Sequence, residues 1–411
     1  MQRLQLDAVS IGMRWVRSAV VIIVMVMPGL VAAAGAAVAE PDAVINNPNW
    51  EHGITDIPGL KVTWMDICDG PAERGRGQVA RYAKQLAKQA KENRQASQVE
   101  VSEASCFVPG IQVDSDQLNA ETLSRLCSLI AERGIPGVRF RKLPADISAE
   151  VFAPLAQSKL QWLLFERCAV DAEVLHYFGD IQTLRAFVIH VPSLKRPEQA
   201  DPHIARLWQL PELEVASIFI GGARSAACLA DVGRARKLHY LHVGGGPSYE
   251  SDWLLSLAEH ARLRSLTLYQ FLAISSPSFE ALRDLPALEQ LTLNHCGFGA
   301  DAAEVITAMP ALTTLSCFNV HAPAAFFTTA LAAPALQQCR MVNTSVPPLT
   351  TAPTRLPPKL EFWKCAIDEP SRALLAQVGD DIVYRDCTAP DPDDPARKPV
   401  PPVPVGADDT F

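Results

Sequence analysis

The hydrophobic positions of this chain return in one short phrase. Leu288, Leu291 and Leu293 lead to Cys296 and Phe298, and Leu312, Leu315 and Cys317 lead to Val320 and Ala322. Both stretches read L-x-x-L-x-[LC]-x-x-[CV], with starts about 24 residues apart. The phrase slides along most of the chain. It fits Leu160, Leu163, Phe165 and Cys168; Leu184, Phe187 and Ile189; Leu213, Ala216 and Ile218; Leu238, Leu241 and Val243; and Leu263, Leu266 and Leu268. Further on it fits Leu336, Cys339 and Met341, then Leu360, Trp363 and Cys365. Weaker copies lie at Val108, Ile111 and Val113; at Ile135, Val138 and Phe140; and at Gly379, Ile382, Tyr384 and Cys387.

Positions one, four and six of each phrase are expected to point inward, with the residues between them pointing out. This is strand periodicity. One such strand cannot bury its own apolar side, but stacked neighbours share a continuous core, each buried Leu or Ile contributing roughly 1.5–3 kcal/mol. Between strands the period becomes helical. Residues 300–309 (ADAAEVITAM) place Ala303, Val305, Ile306 and Met309 on one side, with Asp301 at the positive end of the helix dipole. Residues 251–261 and 278–285 have the same character. Pro310 and Pro334 stand before the next strands, where a proline closes a helix without costing a ladder hydrogen bond.

These residues resemble a leucine-rich repeat protein, similar to the helix-containing ribonuclease-inhibitor and cysteine-containing types, over residues 108–387. The resemblance implies an α/β solenoid: a curved horseshoe with parallel strands on the concave face, helices on the convex face and an N-terminal cap. It also implies a binding scaffold, usually for another protein, and no reaction. The ninth position, often Asn or Cys in the family, is Cys168, Cys296 and Cys387 here. Elsewhere it is Leu143, Pro192, Gly221, Gly246, Phe271, Val320, Thr344 and Asp368. Without a regular asparagine ladder, the turn after the strand is expected to vary between repeats.

Residues 1–39 stand outside the repeats. Arg14 and Arg17 precede an apolar run at 19–27, and Ala37-Val38-Ala39 forms a small-residue cleavage signature before Glu40. This is the pattern of a secretory signal peptide. The alternative is an uncleaved anchor, the one expected contact with a membrane; Pro28, Gly29 and the alanine-rich end favour cleavage. Export to a periplasmic, cell-surface or extracellular location follows. Removing the segment takes away Arg3, Arg14, Arg17 and Asp7, leaving a chain more acidic than its full-length net charge of −8. That balance argues against nucleic acid as a partner.

Residues 40–107 form a separate cap region, with a strand at 60–65 and a charged helix at about 78–96. Arg81, Lys84, Lys88, Lys91 and Arg94 lie at near-helical spacing there, either as a docking face or, as charge runs usually are, as a solvated surface. The tail at 388–411 carries Pro390, Pro392, Pro395, Pro399, Pro401, Pro402 and Pro404, a composition expected to be disordered or polyproline-like.

Ten cysteines in an exported chain raise the question of disulfides. Repeat register argues against most of them. Cys317, Cys339 and Cys365 fall on inward strand positions, and Cys168, Cys296 and Cys387 on the turn position. Cys317 and Cys339 are offset by two residues along neighbouring strands, about 8 Å between Cα atoms and beyond disulfide reach. Cys68 and Cys106, in the cap, are the expected pair.

Catalytic signals are missing. The chain has no phosphate-binding G-x-x-x-x-G-K-[ST] loop, no H-E-x-x-H, no C-x-x-C and no G-x-S-x-G elbow. Gly244-Gly245-Gly246 reads as a tight turn, and His295 beside Cys296 as an exposed ring next to a buried thiol. Asn343-Thr344-Ser345 matches a glycosylation sequon. No enzyme activity, metal or cofactor is expected.

The candidate site is geometric. Between the ladder positions, the strands present Ser217 and Phe219, Tyr240 and His242, Thr267 and Tyr269, Thr292 and Asn294, and Ser316 and Phe318. Aromatic residues beside small polar ones suit a protein partner, which singles out Phe219, Tyr240, His242, Tyr269, Asn294 and Phe318. The first repeats carry Arg139, Arg141, Lys142, Glu166 and Arg167 instead, a mostly basic end. Lys195-Arg196-Pro197-Glu198 is an insertion expected to loop off the sheet edge. The sequence therefore points to an exported, non-enzymatic protein-binding scaffold. Two alternatives are an envelope protein that binds glycan or cell-wall polymer, and an enzyme built around Asp66, Cys68 and Asp69.

Overall fold

The computed structural model describes residues 60–66 and 107–389, apart from 115–117, 142, 145, 167, 191–193, 197–198, 221–225, 246–249, 321 and 380. The chain divides into two compact units, Met1–Pro48 with Trp64–Pro109, and Asn49–Thr63 with Gly110–Phe411. The described part of the first is confined to residues 64–66 and 107–109. The signal segment, the charged helix, Cys68, Asp69, Cys106 and residues 390–411 lie outside the described residues.

The second unit is a leucine-rich repeat solenoid. The described strands follow in chain order: β1 (Leu60–Asp66), β2 (Phe107–Asp114), β3 (Gly137–Arg141), β4 (Trp162–Glu166), β5 (Ala186–His190), β6 (Val215–Phe219), β7 (Tyr240–Gly244), β8 (Ser265–Tyr269), β9 (Gln290–Asn294), β10 (Thr314–Phe318), β11 (Gln338–Val342), β12 (Lys359–Trp363) and β13 (Ile382–Arg385). Sheet order equals chain order. From β2 to β13 every neighbouring pair is parallel.

The leucine phrase is the core seam. Leu241, Leu266, Leu291, Leu315, Cys339 and Leu360 pair in one row, and Val243, Leu268, Leu293, Cys317, Met341 and Phe362 in the next. None is more than 1% exposed. A single hydrophobic cluster runs from Ile111 to Leu375.

One repeat departs from the expected register. Leu360 pairs with Cys339, so it holds position four; Phe362 holds position six and Cys365 the turn position. Trp363 therefore lies on the outward side. The connection from β11 to β12 contains no helix and is shortened, and the buried Pro357 takes position one. A leucine pattern misses a proline in that place.

On the opposite side lie α1 (Ala120–Arg133), α2 (Val174–Phe178), α3 (Asp201–Leu207), α4 (Ser276–Glu280), α5 (Ala302–Ala308), α6 (Ala324–Thr329) and α7 (Glu369–Ala376). Asn119 caps α1, its side-chain oxygen accepting from Thr122 N at 2.8 Å, and Gly134 ends it at φ 62°. α5 buries Val305 and Ile306 as its spacing predicts. Residues 251–261 form only the 3₁₀ turn Asp252–Leu257, and α4 starts two residues before the predicted 278. A repeat of about 24 residues leaves room for one or two helical turns after strand and connections.

The turn after the strand is more uniform than the varied ninth position suggests. Gln270, His295, Asn319, Asn343, Lys364 and Asp386 hold the same place in six successive coils, all with φ between 50° and 61°. In five of them the N–H donates to the last strand carbonyl of the next coil: Asn294, Phe318, Val342, Trp363 and Arg385 in turn. One residue later, a short donor caps strand-end carbonyls. Cys296 donates to Leu268 and Asn294, Cys365 to Met341 and Trp363, Cys387 to Phe362 and Arg385, and the Thr344 hydroxyl to Val342. A thiol thus does the work of an asparagine amide here.

Two further expectations change. Lys195 bridges to Asp171, exchanging backbone bonds with the preceding coil, and the Arg196 guanidinium pairs with the Asp171 carboxylate. This part of the insertion is tied down rather than looped away. Gly244 ends β7 with an ordinary φ, and its role is close approach: a Cβ there would lie 2.4 Å from the Phe219 ring. All eight described cysteines are free, and the two-residue offset of Cys317 and Cys339 appears in the β10–β11 register.

Candidate functional site

Each parallel pair places outward side chains in rows. The middle row runs Ser217, His242, Thr267, Thr292, Ser316, Arg340 and Glu361. The row at the strand ends runs Phe219, Gly244, Tyr269, Asn294, Phe318, Val342, Trp363 and Arg385. Tyr240 lies in the first row, beside Ser265. The six sequence-predicted residues do share one face, but they are not equally reachable.

From β6 to β8 the outward side chains are enclosed. Phe219, Tyr240, His242 and Tyr269 are 7% exposed or less, and Asn294 on β9 is 3% exposed. This corrects the expectation that they project freely. Part of their cover is mutual. Phe219 packs edge-on against His242 at 5.0 Å between ring centroids, Phe219 meets Tyr269 at 5.7 Å, and Tyr269 meets His295 at 5.8 Å. Asn294 Oδ1 is buried without a hydrogen-bond partner.

His242 and Ser217 form a pair that sequence inspection placed in neighbouring coils without joining. His242 Nδ1 is 3.2 Å from Ser217 Oγ. The signal was their equal place in two phrases 25 residues apart. Burial pushes the His242 pKa down to about 4, so the ring is neutral at pH 7. Ser217 is fully buried, so its hydroxyl is closed to a substrate. Burial also raises the Tyr269 phenol above its usual range.

From β9 to β13 the face opens. Thr292, Ser316, Phe318, Arg340, Val342 and Trp363 are half-buried, and Lys359, Val383 and Arg385 are exposed. Trp363 is the centre of this part. The Arg340 guanidinium lies over its ring at 5.0 Å and that of Arg385 at 4.8 Å. Arg340 Nε also donates to Glu361 at 2.9 Å, with Lys359 Nζ 3.6 Å from the other carboxylate oxygen. The misplaced register of this repeat hid Trp363 from sequence inspection. Asn319 and Asn343, at the left-handed turns, are joined by a side-chain hydrogen bond.

At the other end, Arg139 and Arg141 are half-buried on β3; Lys142 and Arg167 lie outside the described residues. Asp66 ends β1, and Cys68 and Asp69 fall beyond it. Among the described residues, no cluster of three or more His, Cys, Asp or Glu side chains is placed to hold a metal ion. No described helix is long and apolar enough to cross a membrane.

No protein-family model matches this chain, and no curated protein matches it. Solved structures do. The crystal structure of a TLR13–ssRNA13 complex is 14% identical over 63% of this chain and 35% of that one, at a TM-score of 0.40. An internalin (inlF) from Listeria monocytogenes is 16% identical over 52% of this chain and 63% of that one, at a TM-score of 0.35. The Toll–Spatzle complex of Drosophila is 14% identical over 68% of this chain and 36% of that one, at a TM-score of 0.39. This chain thus spans less than two thirds of each. Its leucine-rich repeat fold rests on its own strand register and buried ladder.

Proposed function

We propose that this protein is an exported, non-enzymatic scaffold that binds another protein through the strand face of its repeats. The observation that carries this is the open patch of Phe318, Arg340, Trp363 and Arg385, from two adjacent rows of β10 to β13. Aromatic and arginine side chains supply large contact area and planar donors at few residues, which is what interface centres use. The ladder beneath sets their spacing before a partner arrives, so little ordering cost remains. Phe219, Tyr240, His242, Tyr269 and Asn294 act as the enclosed floor next to that patch, holding its shape, while Phe318 is the member of the predicted set that reaches the partner. Export is supported by the signal-like segment at 1–39. The non-enzymatic reading is supported by the enclosed Ser217–His242 pair, whose His242 has no carboxylate among its described hydrogen-bond partners.

The test uses a photo-crosslinking residue at position 318 to trap the partner, followed by direct binding of the purified pair. Trp363→Ala with Phe318→Ala should weaken binding by about a hundredfold or more, as loss of two interface anchors does, with the thermal transition retained. Unchanged affinity in a folded double variant rejects this face.

A further inference from the structure

The last coil differs from all those before it. β13 ends the sheet order. Its inward residues Ile382 and Tyr384 and its turn residue Cys387 are only half-buried, whereas Leu360, Phe362 and Cys365 in the coil before are 1% exposed or less. Leu356 and Leu374 are also only partly covered. Tyr384 Oη and Arg372 Nε are buried without a hydrogen-bond partner, and the Arg372 guanidinium lies 5.2 Å above the Tyr384 ring. On its inner side, that ring stacks flat on Phe362 at 5.4 Å. A stack of repeats needs its terminal apolar surface covered, and here part of that surface is left open.

We propose that the proline-rich segment at 390–411 folds back over this end as its cap. The segment starts where it must. Thr388 bridges to Ala366, so the chain leaves the last coil beside the surface in question. It is also long enough, since an extended proline-rich stretch advances about 3.1 Å per residue. Its composition fits the free edge of β13. Pro399, Pro401, Pro402 and Pro404 lack N–H groups but keep their carbonyls, which can accept from the outer N–H groups of β13. Val400, Val403 and Val405 supply apolar cover between them. Such a segment cannot be extended by another strand, so it blunts the edge. A second copy fits less well. Antiparallel pairing of two β13 strands about Val383 and Tyr384 would set Asp381 of each against Asp386 of the other, like charges directly opposed.

Cys387 reports on this surface. The purified full chain and a variant ending after Ala389 are alkylated under native conditions, and modification of the Cys387 peptide is followed by mass spectrometry. Cys387 should react about tenfold faster or more in the shortened chain, at a rate independent of protein concentration, and added peptide 390–411 should restore protection. Equal rates in the two chains overturn the proposal. So does protection of the full chain that grows with protein concentration, which means a second copy covers the end. Should the shortened chain fail to fold, the full chain carrying Val400→Asp, Val403→Asp and Val405→Asp is read the same way; protection equal to wild type overturns the proposal.

Discussion

Phe219 and Tyr269 belong to strands two coils apart, yet their rings meet at 5.7 Å across Gly244. The strand between them contributes no side chain at that place, and Phe219 leans into the gap. Gly244→Ala should therefore cost about 1–3 kcal/mol, the usual range for overpacking. In a Phe219→Ala background the added methyl should cost far less. A double-mutant cycle by urea unfolding measures the coupling; simple additivity would show that the ring does not fill the gap.

Stability should fall in mild acid because of His242. Burial lowers its folded pKa to about 4 from the ordinary histidine value of about 6.5, so between these values the unfolded chain takes up a proton that the folded chain refuses. The contribution is complete above about pH 6.5 and is lost progressively as pH falls toward 4, reaching up to about 3 kcal/mol for a shift of this size. His242→Phe should flatten that part of the stability profile. The comparison is denaturant unfolding at intervals between pH 4 and 7, and an unchanged slope in the variant would assign the loss to other groups.

Side chains on the strand face should divide by burial, not by direction. Tyr269→Ala removes an enclosed ring and should cost about 3–5 kcal/mol, the range for large-to-small changes at aromatic positions. Thr292→Ala, on the half-open part of the face, should stay within about 0.5 kcal/mol. Leu291→Asp, inside the seam, should cost more than either, because a lone buried carboxylate has no partner there. Thermal melts of the three variants rank them, and a near-neutral Tyr269→Ala would mean that its ring is not packed as described.

The buried thiols should be inert in the folded protein. Burial pushes Cys296 up to about 12 and Cys365 to about 11, and holds Cys317 well above its ordinary value. Little thiolate exists at pH 8, and the nucleophile in alkylation is the thiolate. These three should label only after unfolding. Rapid native labelling of Cys317 would contradict its place in the core.

Much of this architecture was legible from the spacing of a few residue types. Leu288, Leu291 and Leu293 announce an inward row, and their neighbours about 24 residues away announce the stack. The exception is instructive. In the coil of β12, Pro357 fills the first ladder position, so the leucine phrase falls three residues late and places Trp363 inward, whereas it lies on the outward side. The glycines at 244 and 245 stand out in the sequence as a turn signal, and the structure gives them a packing role. At both, the Phe219 and Phe271 rings occupy the space a Cβ would need.

Outside the coil of β12, the spacing of residues was enough to identify the dry seam, because inward burial repeats with the period of the strand and of the coil, and a short window displays both. Tertiary structure alone decided which outward residues stay within reach. Phe219, Tyr269 and Phe318 occupy equivalent places in their coils, but a side chain's exposure depends on rings and glycines one or two coils away. Those neighbours are contiguous in the sheet and far apart in the chain, so lateral packing encloses the first two and leaves Phe318 beside the half-open surface around Trp363.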